Sequence, residues 1–222
     1  MEIIPIVSLD KIYINTDDEN IYFLDCTRVS GCMDLISRGE EKLADQVIRI
    51  GSSIDKDKII LADDVIFSGE ALRKIIEMFS CLGKKTVGVI SSICCKEAYD
   101  YFNNCLEYGV KCNYLLEKDV IDQICERDFY FGIAGSGIMV NDGKMLCKAP
   151  YFKPFGDPCG RASIPEEYEL SFSKNCLIRS LKLWDDACLE KEILIGELPE
   201  KIINTNSCDS VRKVLRMEID RI

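Results

Sequence analysis

Apolar positions along this 222-residue chain follow two rhythms, one of period two and one near 3.6. Residues 11–15, Lys-Ile-Tyr-Ile-Asn, and 20–26, Asn-Ile-Tyr-Phe-Leu-Asp-Cys, read as short strands around the acidic turn Thr16 to Glu19, which predicts a hairpin or strand-loop-strand. A polar, glycine-containing loop is expected from Thr27 to Gly39. Leu43, Val47, Ile48 and Ile50 then predict a helix over residues 40–53. An apolar strand over 58–62 leads through a short loop to a helix over 70–81. That helix carries Leu72, Ile75, Ile76 and Phe79 on one face, and Gly83 stops it. Thr86 to Ile93 reads as a buried strand, Lys96 to Tyr108 as a helix capped by Gly109, and Val110 to Leu116 as another strand. Alternation of this length predicts an α/β fold: a parallel sheet with helices on both faces.

Beyond residue 118 the rhythm changes. Asp119 to Cys125 has helical character. Arg127 to Phe131 leads into the glycine run Gly132 to Gly137, read either as a tight turn or as a loop that closes over a ligand. Pro150, Pro154, Pro158 and Pro165 fall among Tyr151, Phe152 and Phe155, so residues 149–165 should be rigid and irregular. Ser163 and Glu166 have the spacing of a capping box that opens a long helix over 165–189. On that helix Tyr168, Phe172 and Cys176 form one row, and Leu177, Leu181, Trp184 and Cys188 form a second. Val211, Val214, Leu215 and Ile219 predict a short final helix. The expected organisation is an α/β core over residues 1–145, with the irregular loop, long helix and tail of residues 146–222 packed on it as one domain.

Composition narrows the chemistry. There is no histidine, which removes imidazole acid–base catalysis, histidine metal sites and histidine-dependent triads. The thirteen cysteines are scattered, with no Cys-x-x-Cys pair, and read as reduced thiols, many of them in apolar stretches where a free Cys behaves as a small hydrophobe. A net charge of −10 argues against direct nucleic-acid binding. No apolar run approaches the roughly 18–20 residues of a membrane span. The start has neither a basic nor an apolar leader region, so a cytoplasmic protein is expected.

Candidate chemistry concentrates in residues 59–72. Asp63 and Asp64 follow the apolar run, where two carboxylates can accept hydrogen bonds from neighbouring sugar hydroxyls. Val65, Ile66, Phe67, Ser68, Gly69, Glu70 and Ala71 lead into a helix N-terminus, whose free N–H groups and dipole favour a phosphate. Ser68 can donate a hydroxyl, and Gly69 lets the backbone approach closely. Upstream, Thr27 to Gly31 offers Arg28 as a cation for an anionic oxygen. Arg127, Asp128, Asp157 and Arg161 are secondary candidates in the irregular segments.

The segment with Asp63, Asp64, Ser68, Gly69 and Leu72 resembles the phosphoribosyl-pyrophosphate (PRPP) loop of type I phosphoribosyltransferases, and the resemblance extends over about residues 55–118. Ala71 departs from the family, which often has a hydroxyl residue there, and residues 40–58 look helical where the family keeps a flexible catalytic loop. Segments 125–130, 154–158, 162–165 and 172–184 look similar to a divergent bacterial branch associated with conflict and phage-defence loci.

The resemblance implies Mg²⁺-dependent glycosyl transfer at the ribose anomeric carbon of PRPP or a nucleotide. Asp63 and Asp64 would bind the ribose, residues 65–71 the 5′-phosphate, and Arg28, Arg127 or Arg161 the leaving-group charge. Mg²⁺ would be held through the ligand and not by direct protein ligation. A second reading is a non-catalytic phosphoribosyl or nucleotide sensor acting through a protein partner or homodimer. A third is a nucleotide N-glycoside hydrolase with Asp128 or Asp157 as base.

Overall fold

The computed structural model describes residues 3–9, 18–29, 34–37, 39–117, 126–143, 145–187 and 191–222. The expected strand over 11–15, the helix over 119–125 and Cys188 lie outside these residues. Contacts divide the chain into two compact units: Met1–Arg28 with Asp34–Gln123, and Val29–Met33 with Ile124–Ile222.

The first unit is an α/β layer. Strands β1 (Ile6–Ser8), β2 (Ile21–Phe23), β5 (Lys58–Ile66), β6 (Lys85–Cys95) and β7 (Val110–Leu116) form one sheet in the order β2-β1-β5-β6-β7. Every pairing in it is parallel. Two residue pairs, β3 (Thr27–Arg28) and β4 (Leu35–Ile36), make a small antiparallel ribbon after β2. Helices α1 (Leu43–Ser53), α2 (Glu70–Cys81) and α3 (Lys96–Cys105) complete the unit.

The three helices lie side by side. A Cβ on Gly51 of α1 would meet Leu82 just beyond α2, and one on Gly69 before α2 would meet Phe102 and Ala98 of α3. Their apolar faces bury Ile50, Leu72, Ile75, Phe79 and Phe102 against Val7, Ile59, Leu61 and Val89 of the sheet. Right-handed crossovers from β5 to β6 and from β6 to β7 place α2 and α3 on one face. The expected second layer of helices is therefore not found among the described residues of this unit. On the sheet's opposite face Ile90, Ser92, Lys111, Asn113 and Leu115 are exposed.

Helix ends follow local chemistry. Gly83 at φ +77 closes α2: its N–H donates to Ser80 O at 2.9 Å and the Lys84 N–H to Phe79 O at 3.0 Å. The buried Gln46 side chain ties α1 to the exits of β2 and β4. Its Oε1 accepts from Asp25 N at 2.8 Å, and its Nε2 donates to Ser37 Oγ at 2.8 Å and Glu41 O at 3.0 Å.

The second unit has its own core. It contains the antiparallel pair β8 (Ile138–Asn141) and β9 (Leu146–Ala149), the short α4 (Pro158–Ala162), the long α5 (Glu169–Ala187) and α6 (Val211–Arg221). Phe131, Phe152, Leu177, Trp184, Val211 and Leu215 pack together here. The expected capping box at Ser163 is not made. Ser163 closes α4 in the left-handed region at φ 53, and a 3₁₀ turn over Glu166–Tyr168 without a side-chain cap leads into α5. Pro165 fixes that entry and leaves Ser163 serving the preceding helix.

Candidate functional site

β5 runs farther than its apolar run suggests. It continues through Asp63 and Asp64 to Ile66, because pairing with β6 carries on past the carboxylates: Asp63 lies opposite Ser91, Val65 opposite Ile93 and Ile66 opposite Cys94. The aspartates are thus the sixth and seventh of the nine residues of the strand and do not end it. Successive strand residues point to opposite faces. Asp63 shares a face with the buried Ile59 and Leu61, and Asp64 shares the other with Ile60 and Ala62.

Both aspartates are half-buried and engage the backbone. Asp63 Oδ1 accepts from Asp64 N at 3.1 Å, and Asp64 Oδ1 accepts from Val65 N at 2.8 Å. The Ser91 hydroxyl, 5% exposed, donates to Asp64 O at 3.1 Å and Ile93 O at 2.6 Å, which locks the carboxyl ends of β5 and β6 together. Ser91 was not singled out from sequence. A serine within an apolar run at the register of Asp63 is the signal that points to it.

The loop is reduced to Phe67, Ser68 and Gly69. Gly69 has φ +78 and is the residue just before α2. An added Cβ would lie 2.7 Å from Phe102 Cε2, so conformation and packing both demand glycine. No side chain caps α2, and the Ser68 hydroxyl stands 3.5 Å from Glu70 N, at the limit of a hydrogen bond. Backbone N–H groups at the start of α2 are consequently left without a side-chain acceptor.

Two arginines border the loop. Arg28, exposed on β3, lies over the Phe67 ring at 5.8 Å. Arg73, one turn into α2, donates from Nη2 to Ser68 O at 3.2 Å and stacks over Tyr101 at 3.9 Å. Its Nε is buried and has no hydrogen-bond partner. Arg73 was also missed by the sequence reading. The i+5 spacing from Ser68 is the pattern that brings it back over the loop.

The secondary candidates belong to the second unit. Asp128 is buried, and its Oδ1 accepts from Gly137 N at 3.1 Å. Arg127 lies 4.0 Å from it. Gly132, Gly135 and Gly137 all have positive φ, and a Cβ on Gly137 would stand 2.7 Å from Ala149 O. The glycine run is thus a tight, closely packed turn organised by Asp128. Asp157 is the N-cap of α4, accepting from Gly160 N at 2.9 Å, and Arg161 is exposed in the last turn of that helix. A cavity here is lined by Gly132, Ser136, Lys148 and Glu200, with Lys148 Nζ 3.6 Å from Glu200 Oε2.

Searches of protein-family models, of curated proteins and of solved structures find no match to this chain.

Proposed function

We propose that the first unit binds a phosphoribosyl ligand, PRPP or a nucleotide, and acts as a glycosyltransferase at the ribose anomeric carbon. One observation carries this reading. β1 connects outward to β2 while the chain from β5 onward proceeds the other way, so the sheet reverses direction between β1 and β5. Ligands of open α/β sheets bind at the carboxyl ends of strands beside such a reversal. The loop of residues 67–69 leaves β5 at that end, and Asp63 and Asp64 precede it by a few residues within the strand. In this reading the α2 N-terminus and Ser68 receive the 5′-phosphate. Asp63 and Asp64 take ribose hydroxyls or water from opposite sides of the strand end, and Arg28 offsets leaving-group charge. Among the described residues no three Asp, Glu or Cys side chains converge, so Mg²⁺ would draw its oxygens mainly from the ligand and water.

A second reading, a sensor that binds the same ligand without turning it over, is favoured by α1. This helix occupies Leu43–Ser53, where the resemblance leads one to expect a mobile catalytic loop. Calorimetric titration of the whole protein with PRPP and Mg²⁺ tests both. Saturable binding, lost in Asp63→Asn/Asp64→Asn with the fold retained, supports the site. Pyrophosphate release then separates transferase from sensor. Absence of binding by PRPP, ribose 5-phosphate and nucleotides alike refutes the assignment.

A further inference from the structure

We propose that β7 is the dimerisation edge of this protein, pairing antiparallel with β7 of a second copy about a two-fold axis at Tyr114. β7 is the last strand of its sheet, and one of its long edges has no strand beside it among the described residues. Lys111, Asn113, Leu115 and Glu117 are exposed, and Tyr114 is 70% exposed, the largest value among the exposed large apolar side chains. An open strand edge of this kind is a template for another strand.

The backbone sets the register. Val89 N donates to Gly109 O at 2.9 Å, so the carbonyl of residue 109 points at β6. In a parallel ladder one residue directs both its polar groups to the same side, and successive residues alternate. Residues 111, 113 and 115 therefore face β6, while Val110, Cys112, Tyr114 and Leu116 face outward. The Val110 N–H is already taken by Asn103 Oδ1 at 3.1 Å. That leaves Cys112, Tyr114 and Leu116 to pair.

Only a register centred on Tyr114 lets all three exchange both backbone bonds, with Cys112 opposite Leu116 of the second copy and Tyr114 opposite Tyr114. The same register sets Lys111 opposite Glu117 of the second copy, twice by symmetry. Within its own chain Lys111 makes no ion pair among the described residues. Glu117 makes no ion pair among the described residues, and the neighbouring Lys96 is itself paired with Asp100 at 2.6 Å. Charge, apolar contact and hydrogen-bond direction thus agree on one self-complementary arrangement, as an isologous contact requires. The strand is short, so a weak dimer is expected, with a dissociation constant of about 10–100 µM.

Sedimentation equilibrium of the whole protein over about 5–500 µM measures it. Lys111→Glu and Glu117→Lys should each weaken the dimer at least ~10-fold by facing like charges, and the double swap should restore it to within ~3-fold of the original. Both positions are exposed, so circular dichroism should not change. A monomer throughout the range overturns the proposal. So does a dimer indifferent to either single swap, or one that the double swap fails to restore.

Discussion

A buried thiol shows how one side chain records its surroundings. Burial, with Cys112 and Cys95 close by, pushes the Cys94 thiol up to about 12, and burial pushes Cys176 up to about 11 against the opposing pull of Arg179. Unfolded, each would ionise near 9.0. Between these values the folded chain keeps protons that the unfolded chain has released, so stability is intact below about pH 9 and falls as pH rises. From pH 9 to pH 10 the Cys94 contribution falls by about 1 kcal/mol. Urea unfolding at both pH values should show a smaller loss in Cys94→Ala than in the original protein. Equal losses would mean that Cys94 ionises as freely folded as unfolded. The exposed Cys81, Cys105 and Cys208 should meanwhile react readily with a thiol reagent at pH 8. Reading the cysteines as small hydrophobes from their apolar neighbours captured Cys94 and Cys176, whereas the exposed three look no different in sequence. Arg73 is the converse case. Its role at the loop depends on Tyr101, which joins it only when α2 and α3 lie side by side.

At the scale of elements, legibility depended on whether local pattern and tertiary pairing agree. The residues of α2 and β7 were readable to the terminal residue, because apolar spacing, Gly83 and the acidic first turn mark the same boundaries that packing does. β5 was cut short at residue 62 because aspartates are poor strand formers, yet pairing with β6 overrides that preference. β1 escaped notice because three residues after Pro5 carry no measurable period. The long helix was anticipated with the wrong start, since a side-chain spacing cannot show that Ser163 serves α4. The rows of α5 through Cys176, Leu177 and Trp184 do pack in the core as their spacing indicates, but its polar contacts were not legible. The helix grips the backbone of a single residue outside itself: Ser180 Oγ accepts from Phe131 N at 3.0 Å, and Trp184 Nε1 donates to Phe131 O at 2.7 Å. Both residues lie one turn apart on the buried face, so the helix period sets the spacing of the grip. Ser180→Ala would strand the fully buried Phe131 N–H and should cost about 1–3 kcal/mol. Chemical denaturation checks this, and a loss below about 0.5 kcal/mol would show that the N–H finds another acceptor.

Across the whole molecule, two separate cores imply two separable stabilities. Phe79 is fully buried among Ile75, Ile50 and the strands of the first unit, and Phe131 is fully buried among Phe155, Leu177 and Trp184 of the second. No buried residue belongs to both clusters. The second cluster draws on residues 131–215, and the contact division of the chain runs near residue 124. Composition offers no linker there to betray it. Truncating Phe131 to alanine should remove about 3–5 kcal/mol of packing from the second core. If cores report on their own units, native-state hydrogen exchange will accelerate at α5, α6 and β9 while amides of β5 and β6 keep their protection. Phe79→Ala should give the mirror result, and under the proposed function should also weaken phosphoribosyl binding, because Phe79 braces the helix whose N-terminus is proposed to receive the phosphate. Uniform acceleration throughout the chain in both variants would instead establish a single cooperative unit. Ligand binding would then be as sensitive to Phe131 as to Phe79, although only Phe79 lies on the helix of the candidate site.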